Sequence, residues 1–220
     1  MGIRTLVWSE GTAPKPAYPN DINATIAEHL NEARDISATI ANLSDPEQGL
    51  SEERLDRAEV LLWWGHQKHG EVTDEHVERI ARRVRDGRLG ICILHSGHYS
   101  KIFKHLHGTP CGLGAVREIG ESEQIRVVAP DHPIAVGVSD FVVEKDEMYG
   151  EPFTVPVPER VIFTATFSGG FEDFRAGCVW KVGQGRLFYF SPGHETYRIY
   201  HQTEICRILK NAVRWAGGRA

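Results

Sequence analysis

The chain has 220 residues, of which 41% are hydrophobic and 25% are charged, with a formal net charge of −5. These values are typical of a globular domain with a sizeable core and exclude an intrinsically disordered chain, and the acidic balance argues against nucleic acid or an anionic membrane as a partner. Histidine is abundant: there are 11, and seven of them lie between positions 66 and 107.

The first half of the chain alternates short apolar runs with amphipathic segments. Apolar residues at helical spacing predict helices over 22–34, 73–87 and 101–107, and a proline-rich loop covers 9–19. Runs that are apolar along nearly their whole length predict buried strands, over 3–8, 36–41, 60–64 and 89–94. This alternation is typical of a parallel sheet covered by helices on both faces.

The second half of the chain has a different pattern, with shorter β-like segments and few helices between them. These segments predict further strands and an antiparallel extension, over 124–128, 141–145, 160–167, 177–182 and 186–190. A last amphipathic helix is predicted over 203–216. No internal repeat or linker interrupts the sequence, which therefore predicts a single α/β domain over residues 1–220.

The sequence also bears on the cellular compartment. The apolar runs are too short to span a bilayer, and the first residues lack the plan of a signal peptide, so no membrane association is expected. The four cysteines are widely spaced and form no CxxC pair, which predicts buried free thiols in a reducing compartment. We therefore expect a cytoplasmic protein.

Three histidines follow predicted strands directly or within a few residues: His66, His95 and His194. Ligands of open parallel sheets bind at the carboxyl ends of the strands, so these imidazoles are expected to face one crevice. His69 and His98 lie three residues beyond two of them and are expected to line its mouth as substrate-binding residues. The remaining histidines are expected on helix surfaces or in turns, and three are expected to be solvated: His29, His76 and His132.

The strand-end histidines could hold a metal ion. Catalytic zinc is bound by imidazole and carboxylate ligands with one open position, and Glu147 at the end of an apolar run could supply the oxygen to His66, His95 and His194. The sequence has no HExxH motif and no short Cys/His spacing, so it favours a metal-free, histidine-lined site for a sugar or an acid over a metal site.

A cysteine nucleophile is the other candidate for this edge of the sheet. Gly90-Ile91-Cys92 resembles the start of the Gly-x-Cys-x-Gly turn of class I glutamine amidotransferases, which needs small residues on both sides of the nucleophile. Leu94 stands where the second glycine is required, so Cys92 is predicted to lie inside the strand. Ser96 fails the same test because Leu94 and His98 flank it. The sequence therefore predicts no amidotransferase nucleophile.

Several motifs, taken together in order and spacing, resemble the ThuA-like (trehalose utilisation) family over nearly the whole chain. They are Asp131-His132-Pro133-Ile134 with Gly137, Asp146-Glu147-Met148-Tyr149, Gly183-Gln184-Gly185-Arg186-Leu187-Phe188-Tyr189 with Gly193-His194, Arg214-Trp215-Ala216, and the His95-Ser96 strand end. The resemblance implies a flavodoxin-like three-layer sandwich of the glutamine amidotransferase-like superfamily, without the catalytic cysteine.

The resemblance also implies a function, because ThuA-like proteins are associated with bacterial catabolism of trehalose and related disaccharides, alongside a dehydrogenase that makes 3-keto sugars. It carries over His95, Glu147, Tyr149 and His194 as expected catalytic residues. Ser96 and His66 are expected to bind substrate, but the histidines of the segment 63–69 and the long loop 9–19 depart from the family pattern. The expected partner is a small-molecule sugar, and a homo-oligomer is possible.

Three hypotheses follow for the function. The first is an enzyme that acts on a disaccharide or 3-keto sugar, with His95 or His194 as acid or base, Glu147 as orienting group or metal ligand, and Tyr149 as hydroxyl donor. The second is a zinc-dependent hydrolase or lyase on the same scaffold. The third is a sugar-binding module without catalytic activity. Trp8, Trp63 and Trp64 are expected to pack in the core.

Overall fold

The computed structural model describes residues 2–170 and 173–218, which contain one nine-stranded sheet. The strands are β1 (Ile3–Ser9), β2 (Ile36–Asn42), β3 (Val60–Trp64), β4 (Gly90–Leu94), β5 (Ala115–Val127), β6 (Phe141–Gly150), β7 (Arg160–Phe167), β8 (Phe174–Val182) and β9 (Gly185–Phe190). Five helices lie within the same residues: α1 (Ile22–Asn31), α2 (Glu52–Arg57), α3 (Asp74–Arg85), α4 (Lys101–His107) and α5 (Thr203–Ala216).

The sheet has a parallel and an antiparallel half, in the order β2-β1-β3-β4-β9-β8-β7-β5-β6. Strands β2, β1, β3, β4 and β9 pair in parallel, and every pairing from β9 to β6 is antiparallel. Helices α1 and α5 contact each other, as do α3 and α4, so that helices flank the parallel half. The predicted α/β fold with an antiparallel extension is confirmed.

The apolar runs become central strands because neither face of the sheet is open to water there. Every residue of β3 and β4 is buried, as expected for parallel strands with helices on both sides. The indole of Trp8 on β1 stacks on that of Trp63 on β3 with a centroid distance of 3.8 Å. Trp64 is also buried, so core packing of all three tryptophans is confirmed.

The helices and outer strands differ from the prediction mainly in length. Helix α3 buries one apolar face, which includes Val77, Ile80 and Val84. Helix α2 has only six residues, too few for a clear period, and was not predicted. Strands β5 and β6 extend well beyond the predicted segments, because charged residues interrupt the apolar alternation on which strand prediction depends.

The predictions for thiols and membrane spans can be compared with the described residues. All four cysteines are free and buried, and burial raises the pKa of the Cys92 thiol, which lies inside β4 as expected. No helix in the part of the chain that the structure describes is long and apolar enough to cross a bilayer.

One expectation about the histidines was wrong. His76 is buried instead of solvated, and its Nδ1 lies 3.0 Å from the Thr73 hydroxyl and 2.9 Å from Oε1 of Gln48. The loop that carries Gln48 covers the first turn of α3, a long-range contact that helical periodicity cannot reveal.

Glycine at position 90 is required by the packing of α5 against the start of β4. A Cβ atom there would lie 2.4 Å from the carbonyl oxygen of Ala216. We expect Gly90→Ala to lower the free energy of unfolding by about 2 kcal/mol or more, because backbone must move to relieve the overlap. Urea denaturation measures this loss. Gly70→Ala is the control, since no atom lies within 4 Å of its Cβ position and its stability should stay within about 0.5 kcal/mol.

Protonation of His107, the last residue of α4, is expected to make the stability of the fold depend on pH. Its ring packs against Phe103 and Trp180, and burial lowers the pKa of His107 from 6.5 to about 4. The unfolded chain therefore binds this proton more readily, and the stability is present above pH 6.5 and lost as the pH falls toward 4. We expect wild type to lose about 1–2 kcal/mol relative to His107→Phe between pH 7 and pH 5 in urea titrations. Equal pH dependence of the two proteins would contradict this assignment.

Candidate functional site

Three imidazoles meet at the carboxyl edge of the parallel half. His66 follows β3, His95 follows β4, and His194 lies four residues beyond the end of β9. These strands are adjacent in the sheet, and the ring centroids are 5.2 Å apart for His66 and His95, 4.9 Å for His66 and His194, and 5.5 Å for His95 and His194. The structure thus brings together the three strand-end histidines on which the sequence analysis focused.

Glu147 and Tyr149 reach the same point from β6. Oε2 of Glu147 lies 3.3 Å from Nε2 of His95 and 3.9 Å from Nε2 of His66. The Tyr149 ring stacks on the His95 ring, and its hydroxyl is 3.2 Å from Nε2 of His95. Register shifts between β5 and β6 near Glu121 mark bulges, which bend strands. This hairpin can therefore fold back over the carboxyl edge although β6 is the last strand of the sheet.

His95 occupies a strained turn that the sequence analysis did not identify. Its φ is 51°, a left-handed value that costs a non-glycine residue about 1–3 kcal/mol, and a 3-10 helix begins at once. Gly97 must be small there, because a Cβ would lie 2.8 Å from Cγ2 of Ile93. Cys92 and Ser96 were the two residues considered from the sequence as the nucleophile of a tight strand-to-helix turn. The structure has a turn of that kind, and it presents an imidazole.

Asp146 ties the two halves of the site together. Its buried carboxyl group accepts hydrogen bonds from the backbone N–H groups of Glu147 (2.8 Å), Gly193 (2.9 Å) and His194 (3.1 Å). The carbonyl of Gly193 in turn accepts the indole N–H of Trp64 at 3.1 Å. In the sequence analysis Asp146 is part of the family motif but has no assigned role. Its position directly before Glu147 was the one feature that pointed to a positioning residue.

The buried carboxyl of Glu123 lies under Asp146. Burial, the charge of Asp146 and a hydrogen bond with it raise the pKa of Glu123 well above its ordinary value. Burial also raises the pKa of Asp146 to about 6, although His95 and the backbone donors oppose that rise. Because the three backbone donors converge on Asp146, a negative charge is better stabilised there than on Glu123.

Two further carboxyl groups hold the His66 segment, and neither was predicted. Oε2 of Glu195 lies 2.7 Å from Nδ1 of His66, and its Oε1 accepts the side-chain amide of Gln67 at 2.8 Å. Burial raises the pKa of Glu195, but the contacts with His66 and Gln67 outweigh it and hold that pKa at about 2. Glu10 accepts the backbone N–H groups of His66 (2.9 Å) and Gln67 (2.7 Å). The position of Glu195 directly after the Gly193-His194 motif could have indicated a role in the site, whereas Glu10 lies in a loop and nothing in the sequence around it indicates one.

The hydrogen bonds also determine which ring nitrogens carry protons. Nδ1 of His95 lies 3.0 Å from the carbonyl of Ser191, and Nδ1 of His66 faces the Glu195 carboxylate. Both partners only accept, so both Nδ1 atoms donate and both Nε2 atoms turn toward Glu147. Burial lowers the pKa of His95, but the contact with Glu147 and the charges of Asp146 and Glu147 raise it above its ordinary value. Burial raises the pKa of Glu147, but contacts with His95, His66 and Tyr149 hold it low.

His194 has the opposite tautomer. Its Nδ1 accepts the backbone N–H of Thr196 at 3.3 Å, so the neutral ring carries its proton on Nε2, 3.9 Å from Oε2 of Glu118. Burial and the charge of His95 lower the pKa of His194, which keeps this ring neutral at physiological pH. His194 therefore carries an N–H donor on the side of its ring that faces Glu118.

The other predicted substrate-binding residues lie around this centre. His69 is half-buried near Tyr99, and burial lowers the pKa of His69 to about 4. His98 is fully buried beside Tyr149 with Nδ1 2.9 Å from the carbonyl of Cys111, so it does not reach the mouth. Burial lowers the pKa of His98 to about 3. Ser96 is buried in the turn after His95.

The comparison with protein families identifies this chain. The ThuA family model, described as trehalose utilisation, matches residues 4–216. The chain belongs to the ThuA family. The resemblance inferred from the sequence motifs is thereby confirmed, and the match includes every strand-end histidine of the site. No curated protein matches the sequence significantly.

Solved structures share the ThuA fold at low sequence identity. A protein described as ThuA-like from Bacteroides uniformis has a TM-score of 0.73 and 17% identity, with 97% of this chain and 91% of that chain covered. Another from Parabacteroides merdae has 0.73 and 14%, with 99% and 90% covered. A glutamine amidotransferase from Thermotoga maritima has 0.58 and 11%, with 99% of each covered. These similarities confirm the glutamine amidotransferase-like fold.

Proposed function

We propose that this ThuA-family protein is a cytoplasmic enzyme of carbohydrate catabolism that acts on trehalose, a related disaccharide or the 3-keto sugar derived from it. One observation supports a catalytic role above all others: three imidazoles and a carboxylate from separate segments converge on one point at the carboxyl edge of the sheet. Such convergence needs a strained turn at His95 and a buried Asp146, costs that a purely structural role would not require.

The charges of the site favour a neutral substrate. Glu147 and Glu195 are both held ionised by their neighbours, and Glu10 and Glu118 add two more carboxyl groups around the histidines. A phosphorylated or carboxylated substrate would be repelled by these groups. A sugar offers neutral hydroxyl and carbonyl groups instead, and these can pair with the carboxylates as donors and with imidazole N–H groups as acceptors.

Proton transfer is assigned to the His95–Glu147 pair. Nε2 of His95 and Oε2 of Glu147 are 3.3 Å apart, close enough to share a proton, and a substrate hydroxyl that contacts Glu147 can exchange a proton with this pair. His194 presents Nε2–H as a donor to a substrate oxygen, and Tyr149 presents its hydroxyl beside the His95 ring. His66 is the most exposed of the three rings and forms the entrance.

The experiment is to incubate the purified protein with trehalose, maltose and their 3-keto derivatives and to follow products by NMR and chromatography. We expect a 3-keto disaccharide to be converted, and the His95→Ala, His194→Ala double variant to be inactive. Saturable binding of the sugar without any product would instead show a binding module. Full activity of the double variant would overturn the site assignment.

A further inference from the structure

We infer that His66, His95 and Glu147 form a binding site for a divalent transition-metal cation. Ligand atoms of these three residues all lie within 4.8 Å of one another. The inference rests on the proposed function only for the chemistry that the cation would perform. Binding of the ion itself follows from the hydrogen bonds around the three side chains.

The first step is the direction in which the lone pairs point. Nδ1 of His95 is committed to the carbonyl of Ser191, and Nδ1 of His66 to the carboxylate of Glu195. In the neutral form of each ring the lone pair on Nε2 therefore points toward Glu147, and a cation would bind His95 by displacing the proton that Glu147 stabilises on its Nε2. In metal sites the non-ligating nitrogen of a histidine almost always donates to a carbonyl or a carboxylate in this way, and here two histidines have that support.

The second step is the carboxylate that these nitrogens face. Oε2 of Glu147 is buried and receives no hydrogen bond from the described residues, and the Glu147 side chain is only 9% exposed. Two ring nitrogens and an ionised oxygen thus point at one small volume. A divalent cation there would satisfy the buried Glu147 oxygen and bind both ring nitrogens at once.

The third step is the distances. Zinc bonds of about 2.0–2.2 Å in a tetrahedral site place neighbouring ligand atoms roughly 3.3–3.6 Å apart. The separation of 3.3 Å between His95 and Glu147 fits this range, and that of 3.9 Å between His66 and Glu147 is slightly longer. His66, with its side chain 22% exposed, is the ring with most freedom to move inward.

A second group of ligand atoms, from His66, His194 and Glu195, is a weaker candidate. Its shortest contact, 2.7 Å between His66 and Glu195, is already a hydrogen bond. Nδ1 of His194 accepts the N–H of Thr196, so the lone pair of His194 is occupied too. His194 therefore stands beside the cation as a hydrogen-bond donor.

Two imidazoles and one carboxylate suit zinc or another first-row divalent cation better than magnesium or calcium, which prefer oxygen ligands. Three protein ligands leave at least one position open for water or a substrate oxygen. A cation there would act as a Lewis acid toward a carbonyl or hydroxyl oxygen of the sugar, in place of the proton transfer assigned above to His95 and Glu147, whose facing atoms would then be ligands. His194 would then donate its Nε2–H to the same oxygen.

The test measures the metal alone, without a sugar. The purified protein, treated with a chelator and dialysed, is titrated with Zn²⁺ by calorimetry and with Co²⁺ by visible absorption. We expect one ion per chain and a Co²⁺ spectrum typical of low coordination number. His66→Ala and Glu147→Gln should each weaken affinity by at least 100-fold, and Glu195→Gln by about 10–100-fold, because it only supports the His66 ring.

His105→Ala is the control, since His105 pairs with Glu78 away from the site and belongs to neither ligand group. It should bind Zn²⁺ like the wild type. Circular dichroism of each variant without metal shows whether it folds, and Glu195→Gln keeps the test informative if a ligand variant does not. Absence of stoichiometric binding by the wild type, or equal binding by His66→Ala and Glu147→Gln, would overturn the inference. Metal binding without sugar turnover would leave it standing and reject the proposed function.

Discussion

Replacing His95 by alanine is expected to lower kcat/KM for the sugar substrate by about 10³-fold or more. The change removes the nitrogen that faces Glu147 and the ring on which Tyr149 stacks. A positioned acid–base group contributes about 10²–10⁴-fold to a rate, and the loss of packing around the turn adds to the effect. Steady-state kinetics on a 3-keto disaccharide measure this change.

A second substitution separates catalysis from backbone strain at the same position. His95→Gly also removes the ring, but glycine adopts a φ of 51° without cost. We expect His95→Gly to be more stable than His95→Ala by about 1 kcal/mol and equally inactive. His105→Ala is the control histidine variant, because His105 lies on α4 and pairs with Glu78 outside the site. Near-normal turnover by either His95 variant would contradict the assignment.

Among substitutions that add one methyl group to the site, Gly193→Ala should cause the largest loss of stability and activity. A Cβ there would lie 2.0 Å from the hydroxyl oxygen of Tyr200 and 3.1 Å from Cβ of His95, and φ is 152°. The peptide cannot move away, because Asp146 holds its N–H and Trp64 holds the carbonyl. We expect a loss of about 2–4 kcal/mol in the free energy of unfolding and at least a 100-fold loss of turnover.

The Tyr200 hydroxyl, the atom that the added Cβ would overlap most, allows a second test of this prediction. Removing the hydroxyl with Tyr200→Phe should restore part of the stability lost in Gly193→Ala, as a positive coupling in a double-mutant cycle measured by urea denaturation. Gly112→Ala is the control, since its Cβ would meet Oγ1 of Thr154 at an ordinary 3.5 Å. Independent, additive effects of the two substitutions would show that the overlap is not the cause.

The parallel half of the fold could be predicted from the sequence because its inner strands β3 and β4 are apolar and buried along their whole length. Val60–Trp64 was predicted with the bounds that the structure has, and so were α4 and α5. The full extent of β5 and β6 could not be predicted, because charged residues interrupt their apolar pattern, among them the buried acids Glu123 and Asp146. Glu123 and Asp146 lie on different strands, so their contact depends on the tertiary fold and has no signature in either sequence segment.

The histidines of the site were accessible to sequence reasoning, whereas their supporting groups were not. His66, His95 and His194 each follow an apolar strand, which is a local signal. Glu10 acts through backbone N–H groups of a segment far away in the chain, and no pattern within its own segment marks that role. Asp146 acts in the same way, and its only signal was its place beside Glu147 in the family motif. The strained turn at His95 was not predicted, because only residues of nucleophilic type were considered for such a turn, and the residue in it is a histidine.

The pairing of β4 with β9 also determines when the site can exist during folding. It joins Ile91 to Leu187, so β4 has no partner on one side until nearly the whole chain has been synthesised. Contacts so distant in sequence form slowly, because closing the intervening loop costs entropy before the strand gains its hydrogen bonds. His194 and the groups that hold it arrive only with this late step. Catalytic activity should therefore recover after most of the helical circular dichroism when the denatured protein refolds.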